Sequence, residues 1–180
     1  MQNKINIRFG VLAGMVLLAA LSRLLPHPPN FTPIAAMALF GGAYFVNKRT
    51  AFAVPLLALV VSDIGLTFTM GYEFFTTMRI VIYGCFAVIT MIGFLLRSRV
   101  KVLNVVLASL SGAVLFFVIT NFFVWAGGML YPKNITGLIE CYIAAIPIFR
   151  NMLLGDLVYV SVLFGAFELA KYRFPVLVKT

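Results

Sequence analysis

The sequence predicts an all-α integral membrane protein, one domain over residues 1–180, with six spanning helices and both termini on the cytoplasmic side. Three observations predict it. Of the 180 residues, 63% are hydrophobic and only 11% charged, with a mean hydropathy of +1.07, whereas a soluble domain carries about 25% charged residues to cover its surface. The apolar residues gather in runs approaching the ~20 that cross a bilayer. The fourteen Lys and Arg residues sit in the short segments between those runs.

The first run, 8–25, follows Lys4 and Arg8 and so resembles a signal peptide. It has no clear small-x-small cleavage site before its Pro-rich exit, and further spans follow, so it reads as a retained first helix. The second, 32–47, is short and holds Gly41 and Gly42, which predicts a tilted or irregular span. Runs 50–70, 76–96 and 101–126 are full length. Residues 127–148 begin with Gly127 and Gly128 and include Tyr131 and Pro132. Their apolar part, Ile135 to Ile146, is too short to span and predicts an outer interfacial or re-entrant segment. The last run is 149–170.

Orientation follows from the bases. With both ends inside, the inner segments hold Lys4, Arg8, Lys48, Arg49, Arg97, Arg99, Lys101, Lys171, Arg173 and Lys179. The outer side holds Arg23, Arg79, Lys133 and Arg150. Ten against four satisfies the positive-inside rule, and a seventh span would place the basic C-terminus outside. The same rule explains the net charge of +9 without a nucleic-acid partner. The expected partner of the apolar surface is the lipid bilayer.

With that topology the intramembrane polar residues cluster. Asp63 lies beyond the midpoint of the third helix, Arg79 at the outer mouth of the fourth, and Cys85 about 9 Å further in along that helix, at ~1.5 Å per residue. Asn121 and Trp125 lie toward the outer end of the fifth helix, and Arg150, Asn151 and Asp156 in the first turns of the sixth. His27 and Asn30 occupy a loop stiffened by Pro26, Pro28, Pro29 and Pro33. The inner half is nearly free of ionisable groups apart from Glu168. Charges in hydrocarbon are costly and either pair or face a watery cavity, so several in one layer suggest a pocket open to the outside. Alternatively, Asp63 and Asp156 pair with Arg79 and Arg150 to lock helices together. The small-residue pairs Gly10/Gly14 and Ala38/Gly42 permit close helix contact.

No Walker motif, HExxH pair or nucleophile elbow is present, and the single histidine excludes a multi-histidine metal site. Cys85 and Cys141 make no zinc or redox pattern; a buried cysteine most often acts as a small hydrophobe.

The run Arg23-Leu-Leu-Pro-His-Pro-Pro-Asn-Phe-Thr-Pro33, with Ala38-Leu-Phe-Gly-Gly-Ala-Tyr44, Pro55 to Asp63, Tyr83-Gly-Cys85 and Phe149 to Asp156, resembles the substrate-binding S-components of energy-coupling-factor vitamin transporters. Within that group the cysteine of the fourth helix makes the chain similar to the BtuM-type cobalamin transporters. The resemblance implies an S-component-like bundle in a bacterial cytoplasmic (inner) membrane, with an outward-facing pocket and cobalamin or a related corrinoid as the ligand. It implies that Cys85 coordinates cobalt and is the residue responsible for removing cyanide from cyanocobalamin. His27, Asp63 and Tyr83 are then further ligand contacts, and an energising module of the coupling-factor type is a candidate partner. A thiolate suits a transition metal and is the reactive form of cysteine. Arg79 lies about 240° around an ideal helix from Cys85 and so on a different face. Phe86, Phe122 and Trp125 are the expected pocket walls. Other readings are an S-component for another vitamin or precursor, a thiol-dependent membrane enzyme, and a scaffold whose charges only pair helices.

Overall fold

The computed structural model describes the backbone of residues 2–178 and the side chains of 7–178. Six α-helices follow one another: α1 (Gln2–Leu21), α2 (Ile34–Tyr44), α3 (Lys48–Met70), α4 (Thr77–Phe94), α5 (Val102–Gly127) and α6 (Ile135–Arg173), with short 3-10 turns at Ser22–Leu24 and Pro175–Leu177. Among the described residues, five of the helices are long and apolar enough to cross a membrane. Their outer faces carry exposed Leu18, Phe68, Leu103 and Val162, as a bundle solvated by lipid requires. The chain is therefore a multi-pass helical membrane bundle.

α2 is short, as expected, and shorter than the run 32–47 that predicts it. Its eleven residues cover about 16 Å at ~1.5 Å each, half of a ~30 Å hydrocarbon core. It is apolar on every side, and Ala35 to Tyr44 are all buried, so it forms the axis of the bundle rather than its wall. α4, α3 and α6 pack around it. Glycine makes the α2–α4 contact possible. A Cβ at Gly42 would lie 2.3 Å from the Thr90 carbonyl oxygen, and one at Gly93 would lie 2.6 Å from that of Leu39. The second small pair behaves differently, since a Cβ at Gly10 or Gly14 would meet nothing within 4 Å, and that stripe packs against no neighbouring helix.

The stretch 135–148, expected as a separate interfacial or re-entrant piece, is instead the first part of α6. Asn134 caps it by accepting from the Gly137 N–H at 2.9 Å. The segment then runs back along α5: the Tyr142 hydroxyl donates to the Val118 carbonyl at 2.6 Å, and Cys141 Sγ to that of Asn121 at 3.5 Å. Those bonds tie it to α5. Pro147 sits inside the helix, which neighbouring helices can support in a membrane. The 39-residue helix measures about 58 Å, well beyond the ~30 Å thickness of a hydrocarbon core.

Arg8 near the start of the chain and Val178 near its end line the same inner cavity, so both ends of the described chain lie on one side. Beyond the largely exposed stretch 25–30, Phe31 and Thr32 pack directly against Gly155 of α6.

Candidate functional site

Four side chains from three elements meet in the outer half of the bundle. The 3-10 turn after α1 delivers Arg23, α3 delivers Asp63, and one face of α4 delivers Arg79 and Tyr83, four residues apart. Arg23 Nη1 lies 2.7 Å from Asp63 Oδ1 and 2.5 Å from Ser62 Oγ. Tyr83 donates to Asp63 Oδ2 at 2.8 Å, and Arg79 Nε lies 3.7 Å from the same oxygen. Arg79 also donates to the Glu73 carbonyl at 3.0 Å and sits 4.8 Å from the Phe74 ring centroid.

Asp63 is 4% exposed and Arg23 8%, so this is a desolvated cluster. It holds two guanidinium groups for one carboxylate. Arg23 Nε and one Nη of Arg79 are buried without a hydrogen-bond partner. Two cations against one anion, with N–H groups to spare, make a place that tolerates a further acceptor or anion.

His27 does not join it. Its ring nitrogens lie 3.0 Å from the Pro28 carbonyl oxygen and 3.2 Å from that of Arg23, so the imidazole braces the loop against the end of α1. The loop's contribution to a binding space is Asn30. This is the one non-glycine residue among those described with a positive φ, at 61°, a conformation Asn tolerates better than most side chains. The turn is held by Phe31 N–H to the Pro28 carbonyl at 3.0 Å.

Asn30 lines a cavity of about 250 Å³ between α4, α5 and α6. Met78 and Ile82 of α4, Phe116, Phe117, Thr120 and Asn121 of α5, and Phe149 and Met152 of α6 supply most of its wall. The expected aromatic walls lie elsewhere. Phe86 is a core residue, 1% exposed, and Phe122 is 45% exposed on the outside of α5. Trp125 donates its indole N–H to the Pro132 carbonyl at 2.9 Å, closing the α5–α6 turn. One-residue offsets along α5 decide this, since each residue turns the helix by 100°.

Cys85 is 2% exposed and outside the cavity lining. It nevertheless shares the face of α4 that bears Met78 and Ile82, at i, i+4 and i+7, and so lies one turn beneath the cavity. Asp156 stands in the corresponding place on α6, one turn beyond Met152. It is 2% exposed, and its Oδ2 has no hydrogen-bond partner. Arg150, the partner expected for it, is on the exposed surface. Asp63 and Tyr83 thus come together, whereas Cys85 and His27 stand apart from them and from each other.

Residues 3–177 match a protein family described as a family of unknown function (DUF6580). The chain belongs to that family. Neither a curated protein nor a solved structure matches it. That description names no activity, so the residues themselves must carry the chemistry. Among the described residues, no three His, Cys, Asp or Glu side chains converge to hold a metal ion.

Proposed function

We propose that the protein captures a corrinoid, with cobalamin the leading candidate, on the outer side of a bacterial cytoplasmic membrane and passes it inward, with Cys85 as the axial cobalt ligand. The observation that carries the reading is the outer cavity with a cysteine one turn below it on the same helix face. The S-component-like arrangement belongs to the proposal, as does an energising module from a separate protein, because this chain holds no nucleotide-binding motif.

The cavity of about 250 Å³ is smaller than the roughly 300–1,000 Å³ of ordinary small-molecule sites, and a corrinoid is a large ligand. Uptake then requires the α5–α6 hairpin and the Pro-rich loop to part from α4, opening the cavity downward past Ile82 to the thiol. The apolar walls (Phe116, Phe117, Phe149) suit a corrin face. Asn30, Thr120 and Asn121 suit its amide arms, while Asp63 and Tyr83 act one helix face away in holding α3, α4 and the Arg23 turn together.

The same reading extends to cyanocobalamin. The Cys85 sulfur donates an electron pair to cobalt on the lower face, where the cobalt bond to the nucleotide base breaks with its pair staying on the base nitrogen. The cobalt–cyanide bond on the other breaks with its pair going to cyanide, and the thiol proton leaves as hydrogen cyanide. Cobalt keeps its oxidation state and no reductant is consumed.

A second reading has an observation of its own. The surplus guanidinium charge of Arg23 and Arg79 favours another vitamin or precursor bearing an acid group, with Cys85 only packing.

The test is the absorption spectrum of protein purified from cells supplied with cobalamin. The proposal expects a bound corrinoid whose spectrum changes in Cys85→Ala. Protein that carries no corrinoid and takes up none in vitro refutes it, and saturable binding of a carboxylated vitamin instead would establish the second reading.

A further inference from the structure

The inner end of the bundle holds a second constellation that the outer site does not use. A cavity of about 180 Å³ opens where α1, α2, α4 and α6 end together, lined by Arg8, Tyr44, Arg97, Lys171 and Val178 among others. Three cations converge on it from three helices or their ends. Among the described residues, the carboxylate bonded to this lining, Glu168, is already engaged: Lys171 Nζ lies 2.8 Å from both its oxygens, and the Tyr44 hydroxyl donates to it at 2.5 Å. Among the described residues neither arginine meets a carboxylate.

Both arginines point at the carboxyl end of the buried half-helix α2. Arg8 donates to the Tyr44 carbonyl at 3.0 Å. Arg97 donates to those of Gly42 and Phe45, each at 2.9 Å. A helix C-terminus carries about half a negative charge, which leaves two full positive charges largely unbalanced. Arg8 Nε is also buried without a hydrogen-bond partner. Helix capping accounts for the bonds made, and it does not account for the surplus charge, the idle donor or the open space beside them.

We infer that this inner cavity binds a phosphate group, held by Arg8 and Arg97 with the neutralised Lys171–Glu168 pair at its edge. Arginine forks fit phosphate oxygens in pairs, and basic pockets between helices on the cytoplasmic side of membrane proteins take anionic headgroups. The cavity lies level with the ends of the spans, where Ile7 begins the first and Phe94 ends the fourth, the depth of a phospholipid phosphate. The source is an inner-leaflet lipid or a soluble phosphate, and the experiment separates them.

Native mass spectrometry of protein in micelles doped with phosphatidylglycerol or phosphatidylcholine reads the first source. Thermal unfolding against inorganic phosphate reads the second. A lipid source gives one retained phosphatidylglycerol, preferred over phosphatidylcholine and indifferent to added phosphate. A soluble source gives saturable stabilisation by phosphate. Either effect weakens about tenfold in Arg8→Gln, equivalent to ~1.4 kcal/mol, and less in Arg8→Lys. No preference for phosphatidylglycerol together with no response to phosphate overturns the inference, as does an effect unchanged in a folded Arg8→Gln. Should Arg8→Gln not fold, the wild-type comparison of the two lipids and phosphate decides alone.

Discussion

Asp63→Asn keeps the shape of the outer cluster and removes its only negative charge. In the native arrangement the carboxylate faces Arg23 at 2.7 Å, Tyr83 at 2.8 Å and Arg79 at 3.7 Å. Arg23 and Asp63 side chains are 9% and 6% exposed, and Arg79 15%, so little water is at hand to take over. The amide can accept from one of these partners, but its NH2 then faces a donor, and the cluster goes from one net positive charge to two. Removing one member of a buried ion pair costs ~3–5 kcal/mol, and that is the expected loss. Tyr83→Phe removes a single hydrogen bond to a charged group and is expected to cost ~1.5–3 kcal/mol. Both are read by equilibrium unfolding in mixed micelles with increasing denaturing detergent, monitored by helix content. A loss below about 1 kcal/mol for Asp63→Asn would refute the reasoning, because it would mean that the cluster is solvated like a surface pair.

Three further outcomes follow from particular contacts. Gly42→Ala must push α2 and α4 apart by roughly 1 Å to relieve a 2.3 Å approach to the Thr90 carbonyl, costing about 3 kcal/mol; Gly14→Ala, with nothing in reach, gains up to ~1 kcal/mol of helix propensity. The same unfolding assay should therefore move in opposite directions for the two, and equal effects would contradict the α2–α4 contact. Asp156→Asn is expected to leave stability unchanged or raised, since no partner is lost; a drop of 3 kcal/mol or more, the cost of a broken buried pair, would show that Asp156 has one. Truncating the latch in Trp125→Phe should cost ~0.5–1.5 kcal/mol, the worth of one hydrogen bond, and speed amide hydrogen exchange at residues 128–134, whereas unchanged exchange would show that the α5–α6 turn holds without it.

The long helices were legible in the sequence because lipid demands a continuous apolar run, and α3, α4 and α5 lie within a few residues of their expected limits. The half-length of α2 was not. Its apolar run continues through Phe45 and Val46, and only packing shows that Gly41 and Gly42 serve a buried axis. The helical start of α6 was hidden for the opposite reason: Ile135 to Ile146 is too short to span alone, and hydropathy does not reveal that Tyr142 and Cys141 bond to α5. The pairing of Asp63 with Arg79 was foreseen as one of two alternatives. Arg23, its nearer partner, was counted only as an outer base, although an arginine at the end of an apolar helix signals a buried partner. Residue type and depth do not fix the aromatic walls, since a shift of one or two residues along α5 separates Phe122 from the cavity residues Thr120 and Asn121.

The central claim is that the outer cavity leads down one helix face to Cys85. An absorbance titration of the purified protein with aquocobalamin, run beside Ile82→Trp and Cys85→Ala, tests it most directly. Wild type is expected to bind with the spectrum of a thiolate-bound cobalt, Cys85→Ala to bind without that signature, and a folded Ile82→Trp, blocking the passage, to lose both binding and signature. Binding with the thiolate signature undiminished in Ile82→Trp would contradict the route, and an identical spectrum in Cys85→Ala would contradict the ligand.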